Sequence, residues 1–506
     1  MLEHAHALSA AVLAGALRLP CLFPTPIRVQ VWTLLGGSRA GLVVAGAGGD
    51  SILHSQGQAV LLGWLQTLAK PPNQDVLRRG MCEVNSNVGG GKRWIVSQEG
   101  SRQSYAVPLA FHKLGILRLF CVDVWCRWGR SGLRRGTKGM RALATRFHPE
   151  IPGHRVVSFG PAAIATRTLD HFHRAGYSAT QLCDRYCRFG EWFAIRVRDH
   201  LRKIHLDPEA DLFFGFNTNC LETMASLQER GIFTVVDQVD PGKVEEDLIC
   251  EETARWPGWA RVPGRMPQAY WDRLKAEWDL ADLVLVNSEW SSDALVLQGV
   301  PREKIIVMPL AIDLDAEHWL RPVRAEGDLK VLWLGSVVLR KGIPYLVEAA
   351  RSLLKTRIEF LLAGPLGISD RAVQTFPPNV KLLGRVTRDQ LSAVYRQAHV
   401  FVLPTISDGF AITQLEAMAH GLPVVTTPNC GRVVTDGTNG FIVPPRSSEA
   451  LVDAFLKLDS DRTLLRAMSR NCLLTVSNYD LPSNARLIHE ATLRARGNLR
   501  KERRVS

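Results

Sequence analysis

The sequence predicts an α/β protein of two Rossmann-like, doubly wound domains facing a cleft, preceded by an irregular N-terminal extension. Three observations predict it. The chain has 506 residues, too many for one typical domain. Short apolar runs alternate with amphipathic helical patterns, as in a parallel sheet covered by helices. The alternation runs through two cycles, separated by a connector at residues 309–316.

Residues 1–91 stand apart. They are rich in Ala, Gly and Leu, with turn signals at Gly36-Gly37 and Gly48-Gly49-Asp50 and little periodicity. The apolar run 7–17 has the length of a signal-peptide core but no basic flank before it, so it does not read as a secretion signal. Met81 lies just ahead of the first clear strand, and residues 1–80 are expected to be poorly ordered, dispensable, or an over-extended start.

The first domain, 92–310, carries strands at 93–97, 155–159, 211–216, 232–236, 283–287 and 305–308. A helix at 191–205 puts Phe193, Val197, Leu201 and Ile204 on one stripe, which reads as core-facing, and Arg196, Arg198, Arg202 and Lys203 elsewhere. The second domain, 311–481, carries strands at 330–334, 359–363, 380–383, 400–403 and 423–426. Residues 482–506 are a C-terminal helix and a basic tail, Arg500-Lys501-Glu502-Arg503-Arg504, expected to be frayed and solvated.

A net charge of +13 suits nucleic acid, an anionic membrane surface or phosphorylated ligands. The basic residues are scattered, with neither zinc-finger spacing nor an RNA-binding signature, so nucleic acid is not the expected partner. The run Arg127, Arg130, Arg134, Arg135, Lys138 would suit anionic lipid at a membrane surface, but a solvated face is the better explanation. No apolar run reaches the roughly eighteen residues that span a bilayer. The ten cysteines form no CxxC pair and no disulfide framework, and read as reduced thiols of a cytoplasmic protein. His171 and His173 beside Asp170 sit at i, i+2, which on a helix face different ways, so no metal site is expected.

In open α/β sheets ligands gather beyond the C-terminal strand ends. Four loops of the second domain lie there. Gly335-Ser336 closes its first strand, and Arg340-Lys341-Gly342 precedes a helix with Pro344 near its start, where two cations oppose the helix dipole and call for an anion such as a diphosphate. Read alone, that loop is equally an exposed helix start with both cations in water. Gly364-Pro365-Leu366-Gly367 would let backbone approach a ligand, or is a plain turn. Gly384-Arg385-Val386 could take a nucleotide base through its backbone, but Thr387 to Gln390 also has the spacing of a capping box.

The fourth loop carries the most information. Asp408-Gly409-Phe410-Ala411-Ile412 turns out of a buried strand into a helix bearing Leu415, Glu416 and Ala419. The amides of 409–412 are unpaired donors, and Glu416 can lean back toward them. Asp408 and Glu416 thus flank one pocket suited to the hydroxyls of a sugar and a ribose. Each acid alone is explained by a helix cap or a favourable dipole contact. Acting together beside the cationic loop, they point to a bound sugar nucleotide.

These residues resemble the GT-B fold glycosyltransferases of family 4, the retaining group related to sucrose and mannosyl transferases. The resemblance covers most of 280–460 and, more loosely, 92–280. The family's Glu-x7-Glu signature falls on Asp408 and Glu416, implying contact with the donor sugar and the ribose respectively, with Asp replacing the first Glu. Lys341 matches the family's diphosphate lysine. Ser336 stands where an Arg is frequent, and Arg340 would supply the missing charge. Also similar are Ala281-Asp282-Leu283-Val284-Leu285-Val286-Asn287-Ser288, Gly299-Val300-Pro301, and the stretch from Cys430-Gly431 to Asp436-Gly437-Thr438-Asn439-Gly440-Phe441.

The resemblance implies transfer from a nucleoside diphosphate sugar, as co-substrate, to a hydroxyl of a polysaccharide, lipid-linked or small-molecule acceptor. It implies no obligatory cofactor or metal: Asp313-Leu314-Asp315 has the Asp-x-Asp form of metal-using enzymes but lies in the connector. Acceptor-side candidates follow the first domain's strands: Glu99, Gly100 and Arg102, then Asn217, then Asp237 and Gln238, the last two equally turn residues before Pro241. A sugar-nucleotide 2-epimerase and a non-catalytic sugar-nucleotide binding protein remain alternatives, which turnover would separate.

Overall fold

The computed structural model describes residues 28–31, 42–45, 91–127, 143–160, 162–164, 179–260, 265–314 and 326–505, with Leu133 and Met140. The chain divides into two compact units, Met1–Ser86 and Asn87–Ser506. In the first, strands β1 (Arg28–Val31) and β2 (Leu42–Ala45) pair antiparallel, Arg28 opposite Ala45. The dispensability of residues 1–80, the His171/His173/Asp170 group, Asp315 and the basic residues Arg130, Arg134, Arg135 and Lys138 concern positions otherwise outside the described residues.

The second unit holds two parallel sheets. The strands of the first are β3 (Arg93–Gln98), β4 (Leu117–Val122), β5 (Val156–Ser158), β6 (Asp211–Phe216), β7 (Phe233–Gln238), β8 (Leu283–Val286) and β9 (Ile305–Val307). They lie in the order β5-β4-β3-β6-β7-β8-β9. Those of the second are β10 (Lys330–Leu334), β11 (Glu359–Ala363), β12 (Val380–Gly384), β13 (Val400–Leu403), β14 (Val424–Thr426) and β15 (Gly440–Ile442). Their order is β12-β11-β10-β13-β14-β15. In both, the order reverses beside the first strand, between β3 and β6 and between β10 and β13, leaving a crevice at each reversal.

Strands buried on both faces read as continuous apolar runs, which is why β6, β7, β8 and β13 are buried at every position. Each sheet accordingly has a core on either side. Trp94, Phe111, Phe120 and Phe214 fill one face of the first sheet; Phe193, Val197, Leu201 and Phe213 fill the other. The helix over the second face spans Ala179–Leu201, beginning earlier than the stripe suggests and ending before Ile204; Phe193, Val197 and Leu201 face inward as expected, while Tyr186 is exposed.

Besides β1 and β2, two strands of the second unit were not visible in the sequence. β4 follows the helix Ala106–Lys113 with little more than Gly115 between them, so helix and strand merge into one apolar stretch. Gly115 supplies the break at φ +73°. β15 has only three residues and depends on Gly440, where a Cβ would lie 1.9 Å from the Val424 carbonyl oxygen.

The two domains exchange elements. The C-terminal helix Leu481–Val505 leaves the second domain and packs Leu481, Ala485 and Ile488 into the first. The Trp94 indole donates to His489 Nδ1 at 3.0 Å. The basic tail, expected to be frayed, is instead helical through Val505, and Arg500 makes a bidentate pair with Glu209 at 2.6 and 2.8 Å. Conversely, the helix Lys243–Arg255 of the first domain lays Leu248, followed by Trp256 and Trp259, against the core of the second. Its buried Glu252 accepts from Tyr345 at 2.8 Å and Arg446 at 2.6 Å. Both cations and the tyrosine hydroxyl bond compensate the burial of this carboxylate, since Arg255 adds a third contact at 3.7 Å. None of the described helices is long and apolar enough to cross a membrane.

Candidate functional site

The crevice between β10 and β13 collects the charged residues singled out above. A short turn, Leu339–Lys341, presents two cations, and Gly342 follows at φ +71°. A Cβ at Gly342 would lie 1.7 Å from the Pro404 carbonyl oxygen, so this glycine lets the loop after β10 touch the loop after β13. The two loops are then tied backbone to backbone: Ile406 N–H donates to the Arg340 carbonyl at 2.8 Å, and the Thr405 hydroxyl to the same oxygen at 3.0 Å.

Within this frame Lys341 Nζ contacts Asp408 Oδ2, with both side chains largely buried. Arg340 lies 4.0 Å from the same carboxylate oxygen and donates to the Ser407 carbonyl at 3.1 Å. Burial first and the neighbouring Arg340 second lower the Lys341 ammonium to about 7, while Glu245 opposes them. The touching Asp408 carboxylate also favours the charged form, which is the state this contact holds. Asp408 is therefore not a helix cap: the helix Thr413–Ala419 begins five residues later, and its N-cap Ile412 has no side-chain bond.

Glu416 sits in the first turn of that helix and accepts the Tyr395 hydroxyl at 2.9 Å. Tyr395 stacks on His420 at 4.7 Å, whose ring meets the Glu416 carbonyl at 2.8 Å. Burial raises the Glu416 carboxyl above its ordinary value, against the Tyr395 bond and Arg388. One carboxylate oxygen is thus oriented by Tyr395, which holds the group for a further donor. Leu415 and Ala419 are buried against the sheet as the helical pattern requires, and Ile412 is partly buried beside them.

The remaining donor-side candidates separate into two groups. Gly409, Phe410, Ala411 and Ile412 lie between Asp408 and the helix, and among the described residues their amides donate to no backbone carbonyl. Ala411 takes φ +62°, a strained turn for a residue with a Cβ. The Phe410 ring is core, with Gly431 admitting it, because a Cβ there would lie 2.3 Å from the ring. Gly335 and Gly364 serve each other instead. A Cβ at Gly364 would lie 1.6 Å from the Gly335 carbonyl oxygen, and Val337 and Gly367 continue the pairing beyond the strands. Ser336 and Arg385 are exposed and Val386 is partly buried. Thr387 and Gln390 do pair, but the Gln390 oxygen accepts both the amide and the hydroxyl of Thr387, at 3.0 and 2.8 Å, rather than closing a reciprocal box.

Two residues not singled out in the sequence, Glu245 and Trp290, complete the cluster from the first domain's side. Glu245, at the start of the helix Lys243–Arg255, lies 3.7 Å from Arg340 and accepts the Ser407 hydroxyl at 3.0 Å. The Trp290 indole donates to that hydroxyl at 3.0 Å. Burial raises the Glu245 carboxyl, with Arg340 opposing. Gly409 also faces the first domain, since a Cβ there would lie 2.2 Å from the Val239 carbonyl oxygen. Periodicity gives no sign of Glu245, because it enters a site built by another domain. Ser407 lay inside the informative loop, but its partners did not.

On the first domain's side the candidates gather beyond β3, β6 and β7. Gly100 N–H donates to Asp123 at 3.0 Å, and Asp123 is paired with Arg146 at 3.2 Å. The loop continues through three consecutive left-handed residues, Gln103, Ser104 and Tyr105, at φ +46°, +55° and +68°. Such a run costs roughly 1–2 kcal/mol per residue, so the surrounding contacts impose it. Arg388 of the second domain donates to the Ser104 hydroxyl. The Arg102 guanidinium lies 5.6 Å from the Phe216 ring centre. The Asn217 amide oxygen is buried without a hydrogen-bond partner, and its N–H donates to the Asp237 carbonyl at 3.0 Å. Gln238 is held by Trp278 at 3.0 Å and Asp240 at 2.9 Å, so its role is architectural. Asp313 lies 3.7 Å from Lys113.

Asp237 is pushed up from 3.8 to about 7, by burial first and Asp240 in addition, with Arg102 opposing. Above pH 3.8 the unfolded chain ionises this group while the folded one stays protonated to about 7, so folding loses stability between those values and is level beyond. Asp237→Asn is expected to gain up to about 4 kcal/mol over the parent at pH 8 and nothing at pH 4. Denaturant titrations at both pH values check it, and an equal effect at both would refute the buried neutral carboxyl.

Comparison with known proteins adds to this geometry. Residues 328–461, which span the whole cluster after β10 and β13, match the family model described as glycosyl transferases group 1. D-inositol 3-phosphate glycosyltransferase of Paenarthrobacter aurescens is 30% identical over 200-odd residues, 38% of this chain and 52% of that protein. Sucrose-phosphate synthase of Zea mays is 40% identical over 89 residues, 17% of this chain and 8% of that one. The chain thus spans about half, or less, of the length of these curated relatives. Among solved structures, sucrose-phosphate synthase of Thermosynechococcus elongatus superposes with a TM-score of 0.54 at 16% identity, over 80% of this chain and 100% of that one. HepE of Anabaena, solved with UDP and glucose, gives 0.51 at 15%, over 79% and 99%. These likenesses carry the fold: two Rossmann-like domains in the GT-B arrangement.

Proposed function

We propose that this chain is a retaining glycosyltransferase of family 4, moving a hexosyl group from a nucleoside diphosphate sugar to a hydroxyl of a glycan or lipid-linked acceptor. The observation that carries the reading is the pair of cations, Arg340 partly exposed and Lys341 largely buried, at the crevice where the order of the second sheet reverses. Carboxylates neutralise them in the structure, Asp408 on Lys341 and Glu245 near Arg340. A diphosphate offers the same charge at the same place. Its support is the match of residues 328–461 to the glycosyl transferase family model and the likeness to a protein solved with UDP and glucose.

In this reading the diphosphate takes the place of Asp408 on Lys341 and is held by Arg340, Lys341 and the amides of Gly409 to Ile412, while Glu245 stays on the Ser407 hydroxyl. Asp408, released from Lys341, accepts a hydroxyl of the donor sugar, and Glu416 accepts from the ribose. The acceptor oxygen bonds to the anomeric carbon on the face the phosphate leaves. The bond from that carbon to the phosphate oxygen breaks with its electron pair, and the acceptor proton passes to the departing phosphate. The side chains position the reactants and stabilise the leaving charge, without an obligatory metal or cofactor. Reaction at the cytoplasmic side, with peripheral membrane contact for a lipid-linked acceptor, fits the basic character of the chain.

Thermal melting with UDP, GDP and ADP tests the donor pocket. One nucleotide is expected to raise the melting temperature, with about 2.7 kcal/mol of stabilisation at a hundredfold excess over Kd. Glu416→Gln should raise Kd about tenfold, the size of one charge-assisted bond, and so roughly halve that stabilisation at the same nucleotide concentration. No stabilisation by any of the three would overturn the donor pocket, and release of a free epimer without acceptor would replace transfer by isomerisation.

A further inference from the structure

Beside the cationic cluster, on the first domain, a groove of about 500 Å³ runs between the helices Lys243–Arg255 and Gln268–Leu280. Its size falls in the range of small-ligand sites, about 300–1,000 Å³. Asp240, Glu245, Ile249, Met266, Tyr270 and Trp271 line it. The Tyr270 and Trp271 rings meet edge to face at 4.9 Å. The indole nitrogen of Trp271 is buried without a hydrogen-bond partner. Nothing in the donor reading uses these two aromatics.

We propose that this groove is the acceptor subsite and that it takes the terminal residue of a neutral saccharide. The proposal rests on the glycosyltransferase reading and specifies the class of its second substrate. The chemistry of the lining selects the ligand. A sugar ring has apolar C–H faces that pack on aromatic rings, and hydroxyls that donate to carboxylates. The groove offers both, with Asp240 and Glu245 joined by Glu246 on the same wall. No cation lies among its described lining residues, and Asp240, Glu245 and Glu246 would repel a uronate, sulfate or phosphate on the acceptor.

The carboxylates are held in place and keep acceptor capacity. Asp240 Oδ1 takes Gln238 and the Gly242 amide, each at 2.9 Å, and Glu245 takes the Ser407 hydroxyl at 3.0 Å. A carboxylate accepts about four bonds. Location joins the groove to the chemistry through Glu245, which lines it and lies 3.7 Å from Arg340. An acceptor seated there has its reacting end toward the donor phosphates. By contrast, a larger cavity of about 820 Å³ between the C-terminal helix and the first domain opens beside Asp282 and Leu283, where β8 begins, on the side of the sheet away from the crevices.

Saturation-transfer NMR on the full chain tests this with methyl glucoside, methyl galactoside and methyl mannoside as neutral probes and methyl glucuronoside as the anionic one. At least one neutral probe is expected to receive saturation, and the glucuronoside none. Trp271→Ala should weaken binding about tenfold, the size of one lost aromatic contact, while Trp271→Phe keeps most of it. Ala254→Trp, at an exposed position on the groove wall, blocks the groove without entering the core. Nucleotide stabilisation should persist in all three variants. Absence of transfer to every neutral probe, signals unchanged in Ala254→Trp, or equal binding of the glucuronoside would overturn the proposal. Loss of nucleotide stabilisation in the parent protein would instead remove the donor reading on which it rests.

Discussion

Lys341→Met is expected to lower turnover by about 10²–10³-fold and to remove stabilisation by the nucleotide, because in the proposed reaction it deletes one of two cations that would face the leaving diphosphate. The same change has a second, separable effect. Lys341 contacts Asp408, and both side chains are more than four-fifths buried, at 14% and 13% exposure. Removing one partner of a buried pair strands the other charge and costs about 3–5 kcal/mol. Adding Asp408→Asn to Lys341→Met removes the stranded charge, so the double variant should recover most of that stability. It should recover none of the nucleotide response. Melting temperature and nucleotide-induced shift, measured together on the two single variants and the double one, check both statements. A double variant that regained nucleotide binding would show that Lys341 acts only through Asp408.

Gly342→Ala is expected to disrupt the second domain, by about 4 kcal/mol or more, the size reserved for backbone collisions and special backbone angles. The added methyl would sit 1.7 Å from the Pro404 carbonyl oxygen at a φ of +71°, so both sterics and conformation oppose it. Neither neighbour is a flexible side chain that could swing away. Gly384→Ala is the control, with φ +67° and no atom within 4 Å of the new methyl. It should cost only the left-handed backbone term, roughly 1–2 kcal/mol. Denaturant melts of both variants compare them directly. Equal losses would mean that conformation, rather than contact between the two loops, makes Gly342 necessary.

The two variants probe the crevice from opposite ends. Lys341 supplies its charge, whereas Gly342 lets the loop after β10 come close enough to the loop after β13 for Arg340, Lys341 and Asp408 to meet. Their effects on nucleotide binding should therefore coincide while their effects on stability differ in origin. Glu245 adds a contribution from the other domain, so closure of the cleft and the charge state of the crevice are linked through one side chain.

Much of this protein was legible in its sequence. A parallel sheet buried on both faces must be built from unbroken apolar runs, so β6, β10, β11 and β13 stand out at their true limits. The loop after the last of these announced itself through Asp408, Gly409 and Glu416, because a turn glycine and two acids around a helix start are local features. β4 and β15 were hidden for the opposite reason: one has no polar break before it, and the other is too short to show a period.

What the sequence determined by itself was therefore the two α/β cycles and the charged loops that carry Arg340, Lys341, Asp408 and Glu416. Only the tertiary structure decided which atoms of these meet. It joined Lys341 to Asp408 across 67 positions of chain, placed Glu245 from the first domain against Arg340, and turned Gly364 from a ligand-approach glycine into one that accommodates Gly335. The physical reason is that helix and strand periods report local burial, whereas charge pairing and close backbone contact depend on where distant segments cross. Glu245 and Trp290 carry no local mark of their role, because their partners Arg340 and Ser407 belong to another domain.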